Sequence, residues 1–169
     1  MGKGKKKTVV VDSVLGYIES VLQEIGLQYS IQDPDKDNMV AVNVEYKGDS
    51  FQIVIPDDGP IVYFVKYWNV VNDRILMDEF QLIHIVNEVN RNKHSKVDYE
   101  YQEEESGRKL LLTAMKDFFF AIDLPSAGGY LKMILDLLNE SQEYFQDLLS
   151  DYNIGFINQQ RDKISPYQA

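Results

Sequence analysis

Apolar residues recur at intervals of three and four early in the chain, at Val14, Leu15, Ile18, Val21, Leu22 and Ile25, so they share one face of a helix. Asp12 or Ser13 can cap its start, and Gly26 stops it, because glycine accepts the left-handed backbone that ends a helix. Beyond Gly26 the period falls to two. Residues 27–32, 39–46, 51–55 and 61–68 set β-branched or aromatic side chains against smaller or polar ones, with turn residues between the stretches. They predict an antiparallel meander of three or four strands.

Asp78 caps a second helix with Leu82, Ile85, Val86 and Val89 as its stripe, closed by Asn90, Asn92 and Lys93. Residues 96–102 and 109–120 predict a hairpin whose loop, Glu103-Glu104-Glu105-Ser106-Gly107, is acidic and ends in glycine. Pro125-Ser126 opens a long third helix to about residue 152, its stripe running from Leu131 through Ile134, Leu135, Leu138 and Phe145 to Leu149 and Tyr152. Met133, Leu137 and Tyr144 widen that stripe, which is expected to meet a second subunit in part. Asp136, Glu140, Glu143, Asp147 and Asp151 form an acidic ridge on the other side. Because helices do not alternate one for one with strands, the fold class is α+β: helix, meander, helix, hairpin, long C-terminal helix. The expected organisation is a basic flexible arm over 1–11, a single α+β domain over 12–152 and a loose tail over 153–169, where the pattern fades.

Charge sharpens this outline. Among 169 residues, 17 are Lys or Arg and 27 are Asp or Glu, a formal net charge of −10. Lys3, Lys5, Lys6 and Lys7 all lie in the arm, so the folded body is more acidic still. Phosphate contacts need basic patches, which argues against a nucleic-acid partner. The absence of cysteine excludes disulfides, thiolate zinc sites and thiol nucleophiles. No apolar run approaches the roughly 18 residues of a membrane span, and residues 8–11 are too short for a secretory core. A soluble, cytoplasmic protein without a membrane partner is expected.

Catalytic patterns are missing. Asp33-x-Asp35-x-Asp37 starts like a calcium loop, but Asn38 stands where the sharp turn needs glycine and Val44 where a bidentate Glu closes the site, so it reads as a hairpin turn. His84 and His94 lack a metal-binding spacing, no serine sits in a nucleophile elbow, and the glycines form no phosphate loop. No catalytic residue, metal or cofactor is expected, and the protein is expected not to be an enzyme. Two groups stand out instead. Tyr63, Tyr67 and Trp68 on the fourth strand supply aromatics for either a core or a protein-binding surface. Asn87 and Asn90, one helical turn apart, suit bonding to a neighbouring strand or capping of the helix's last carbonyls.

Val86-Asn87-Glu88-Val89-Asn90, followed by Lys96-Val97-Asp98-Tyr99, the apolar Leu110-Leu111-Leu112 and a last helix carrying Phe145 and Leu148-Leu149, resembles the bacterial YbjN family of candidate sensory transduction regulators. The resemblance spans about residues 13–149 and implies a fold similar to that of type III secretion chaperones. The basic arm, the Gly128-Gly129 pair and the residues after Asn153 depart from the family's pattern. The resulting expectation is a chaperone-like, non-enzymatic module that holds a segment of a partner protein, with Tyr63, Tyr67 and Trp68 as contacts and a homodimer as an accompanying state. The alternative is a regulatory or sensory domain that binds a small ligand or relays a stress signal.

Overall fold

The computed structural model describes residues 13–32, 39–56, 60–71, 78–104 and 107–164. Its elements are α1 (Val14–Glu24), β1 (Gln28–Gln32), β2 (Val40–Tyr46), β3 (Asp49–Ile55), β4 (Ile61–Val71), α2 (Glu79–Asn92), β5 (Lys96–Glu104), β6 (Gly107–Phe119) and α3 (Ala127–Ile164). The strands form one six-stranded sheet in the order β1-β2-β3-β4-β6-β5. The fold is therefore α+β, and the hairpin β5-β6 belongs to the same sheet as the meander. The chain divides into two compact units, Met1–Phe64 with Asp117–Leu135 and Val65–Lys116 with Asp136–Ala169. The basic arm, the Asp33-x-Asp35-x-Asp37 turn, Asp57-Asp58 and residues 165–169 lie outside the described residues.

In the first unit, Ser13 caps α1 by accepting from the Gly16 N–H at 3.1 Å. At the other end Gly26 takes a φ of +72°, which lets its N–H reach the Gln23 carbonyl and the Leu27 N–H reach that of Leu22. This paired closure satisfies two carbonyls that the helix cannot bond itself. Val14, Ile18, Val21 and Leu22 are buried as the period required. Strands β2 and β3 turn on Lys47 and Gly48, both at positive φ, the pairing that matches the twist of a two-residue hairpin. Their register places Val44 opposite Phe51 and Val42 opposite Ile53, and all four are buried. The opposite side carries amides, with Gln52 Nε2 donating to Asn43 at 3.3 Å and to Gln32 at 3.4 Å. Phe120 is fully buried, its N–H bonds the Pro60 carbonyl at 2.7 Å, and its ring lies 5.7 Å from that of Tyr17.

In the second unit, Asp78 and Gln81 form a capping box at the start of α2. Leu82, Ile85, Val86 and Val89 are buried. Strands β5 and β6 pair with Val97 opposite Ala114 and Tyr99 opposite Leu112. Leu138, Phe145 and Leu149 of α3 are buried, among polar groups that bond one another. Ser95 and Ser141 share a hydrogen bond of 2.5 Å, Ser141 also donates to the Leu137 carbonyl, and the buried Lys66 ammonium donates to Asn139. These pairs meet the rule that a buried polar group needs a partner.

Helix α3 corrects the expected tail. It continues through residues 153–164, where a loose segment was predicted. The physical reason is that nothing in this stretch stops a helix: the first proline after Pro125 is Pro166, and Gly155 weakens a helix without ending it.

The Gly128-Gly129 pair has two different explanations. A Cβ at Gly128 would lie 2.4 Å from Ile25 Cγ2, whereas one at Gly129 would meet nothing within 4 Å. Gly128 is therefore what lets the start of α3 approach the end of α1. Gly128→Ala should destabilise the chain by roughly 1–3 kcal/mol in urea unfolding. Gly129→Ala should be neutral or stabilising by up to about 1 kcal/mol. Equal losses at the two positions would show that this close approach is not the constraint.

Candidate functional site

The period of two along β4 separates the three aromatics expected to act together. Tyr63 and Tyr67 fall on one side of the strand and Trp68 on the other. Tyr67 is 51% exposed and Tyr63 half-buried, while Trp68 is only 8% exposed, its ring edge-on to Phe145 with centroids 6.1 Å apart. Trp68 is thus placed in the core of the second unit, a correction to its expected role as a contact residue. Its Nε1 is buried and finds no hydrogen-bond partner among the described residues.

Asn87 and Asn90 also part company. The Asn90 amide bonds both backbone groups of Val97, accepting from its N–H at 2.6 Å and donating to its carbonyl at 2.9 Å. Asn90 therefore ties the last turn of α2 to the first residues of β5. Asn87 is exposed on the outer side of α2.

That outer side holds the feature that the sequence pattern missed. Phe80, Ile83, His84 and Asn87 follow one another at three and four, and all are exposed, Phe80 at 80% and Ile83 at 40%. His84 stacks edge-on with Tyr152 of α3, centroids 6.2 Å apart. Beside this contact a groove of about 330 Å³ is lined by Gln81, Asp151, Tyr152, Gly155, Phe156 and Gln159. Phe156 and Ile157 are 37% and 41% exposed. Exposed Asp78, Glu79, Asp147 and Asp151 stand on the same two helix segments. The signal was present as a second apolar spacing, Phe80-Ile83, on a helix whose main stripe was already complete.

A smaller depression, about 220 Å³, lies on β5 and β6 among Lys96, Asp98, Tyr99, Glu100, Thr113 and Met115. Burial pushes the Tyr99 phenol above its ordinary value, and Glu79, which accepts from the hydroxyl at 3.4 Å, pushes it further. Among the described residues no three His, Asp or Glu side chains gather as a metal site. His94, like His84, is exposed. No helix among the described residues is long and apolar enough to cross a membrane.

Trp68 is the chain's one tryptophan and reports its own environment. Its emission should be blue-shifted in the folded protein and move to the red on unfolding. Trp68→Ala should cost about 3–5 kcal/mol. Trp68→Phe, which keeps a ring beside Phe145 and deletes the unpaired N–H, should cost clearly less. Emission typical of a hydrated indole in the folded state would return Trp68 to the surface.

No family model matches the chain, and no curated protein matches it. Among solved structures it is similar to YbjN, a candidate transcription regulator from E. coli, at 12% sequence identity and a TM-score of 0.45, over 88% of this chain and 96% of that chain. The likeness accompanies the resemblance seen in the sequence, and the regulator role is a description of that other protein.

Proposed function

We propose that the chain is a non-enzymatic protein-binding module of the cytoplasm that holds a segment of a partner protein, as a chaperone does. The observation that carries this reading is the apolar surface on the outside of α2 and the last turns of α3, with Phe80 80% exposed beside the groove that Phe156 lines. Single exposed apolar residues are ordinary, but Tyr152 and Phe156 lining one concavity, with Phe80 exposed on the neighbouring helix, favour an interaction site. Burying a phenylalanine side chain stabilises by about 1.5–3 kcal/mol, which a partner can realise where the free chain does not. The acid excess keeps such a surface soluble. Tyr67, half in solvent, and the half-buried Tyr63 are the remaining candidate contacts from the aromatic group on β4.

A regulatory domain answering to a small ligand is the second reading, favoured by the depression on β5 and β6. Ligand sites usually enclose about 300–1,000 Å³, so this one is small for the task. A small-mass adduct in native mass spectrometry of the protein from its own cells would bring that reading forward.

A photo-crosslinking phenylalanine placed at positions 80, 156, 67 and 47 in cells tests the first reading. Positions 80 and 156 should give a discrete adduct with a second polypeptide, and position 47, at the β2-β3 turn, should give none. Adducts from position 67 alone would move the surface to the sheet, and a blank at every position would remove the protein-binding reading.

A further inference from the structure

The groove in the second unit narrows the class of partner. Tyr152 and Phe156 of α3 are its apolar lining, and on α2 the exposed Phe80 and Ile83 lie to either side of the lining residue Gln81 in the chain. Asp151 lines the groove as well, and Asp78, Glu79 and Asp147 are exposed on the same two helix segments. Apolar faces of this kind take the apolar stripe of an amphipathic helix, read at i, i+3, i+4 and i+7. Charge complementarity then asks for lysine or arginine beside that stripe. A second copy of this chain would bring another net charge of −10 and the same exposed carboxylates, so like-charge repulsion opposes it.

Gly155 adds an independent observation. It lies inside α3 and lines the groove, yet a Cβ there would meet nothing within 4 Å. Glycine within a helix is unfavourable relative to alanine, and the chain's own packing gives no return for it. A bare backbone on the groove does allow an incoming helix to come closer than a side chain would permit.

We propose that this groove takes a basic amphipathic helix of a partner protein. The inference rests on the protein-binding reading and specifies its ligand. The probe is a fluorescent peptide of about 15–18 residues, long enough to form a helix on contact. It carries leucines at helical spacing and lysines elsewhere. Two controls keep its length: one replaces lysine by glutamate, and the other rearranges leucine and lysine into strict alternation, the pattern of an extended strand.

With the full chain, anisotropy should show binding of the helical lysine peptide that weakens with salt, and at least tenfold weaker binding of both controls. Phe80→Ser and Phe156→Ser leave the charge unchanged and should each weaken binding roughly tenfold or more. Trp68 emission verifies that these variants are folded. Gly155→Ala should raise the thermal midpoint by about 2–4 °C and yet weaken the peptide. Unchanged affinity in both serine variants would reduce the binding to charge attraction and overturn the proposal. Equal binding of the alternating peptide would overturn the helical partner while leaving protein binding intact. A dimer that Phe80→Ser dissociates in light scattering would give the groove to a second copy and overturn it as well. The crosslinks from positions 80 and 156 decide the broader reading separately.

Discussion

The amide of Asn90 stands where a further strand would lie. β5 is the last strand of the sheet, and an end strand leaves backbone groups without a neighbour. At Val97 both of those groups are met by one side chain, which donates to the carbonyl and accepts from the N–H. Leaving a buried peptide group unmet costs about 1–3 kcal/mol, so the contact is worth more than an ordinary surface bond. It also sets geometry. With its last turn fixed to β5 and Leu82, Ile85, Val86 and Val89 buried, α2 has no rotational freedom left, and successive residues step 100° around it. Phe80, Ile83 and His84 are then necessarily on the outside. Their exposure follows from a helix that is held, and Phe80 has no inward position to return to.

Helix α3 completes the same surface by outrunning its own core. In the second unit its last buried position among the residues of described burial is Leu149, while the helix runs on to Ile164. Tyr152 and Phe156, one turn apart, therefore extend the aromatic line past the point where the chain can cover it. Elsewhere in that unit Lys66 is matched with Asn139 and Ser95 with Ser141, while the buried Trp68 Nε1 has no partner among the described residues. Apolar groups gathered outside a core whose polar pairs are largely made are what an interaction surface presents.

Much of this fold was legible in the residue pattern, and each failure has a physical cause. Period changes at Gly26, Asp78 and Pro125 marked the elements because backbone preference and burial agree there. The capping residues Ser13 and Asp78 were readable for the same reason. The strand order was not, since pairing β6 beside β4 depends on contacts distant in sequence. Trp68 was misplaced although alternation already set it apart from Tyr67: residue type suggested a surface, and period decided otherwise. Lys66 lies within the apolar pattern of β4, yet it is 3% exposed, because Asn139 of α3 receives it. Phe80 and Phe156 were passed over because each falls outside a complete buried stripe, and a pattern search reports what a helix buries.

Water decides among the surfaces that are left. On the first unit the side of β2 and β3 away from the core is a ladder of amides, Gln32, Gln52 and Asn43, already bonded to one another. A partner covering it must replace hydration and displace those bonds for little gain. The depression on β5 and β6 carries Lys96, Asp98 and Glu100, whose charges are costly to strip of water without opposite charges in place. The groove of α2 and α3 differs in sign: the rings of Tyr152 and Phe156 gain from losing water, and the exposed Asp151 remains hydrated while attracting a cation. On the proposed surface, contact would therefore be driven by the rings and selected by the carboxylate.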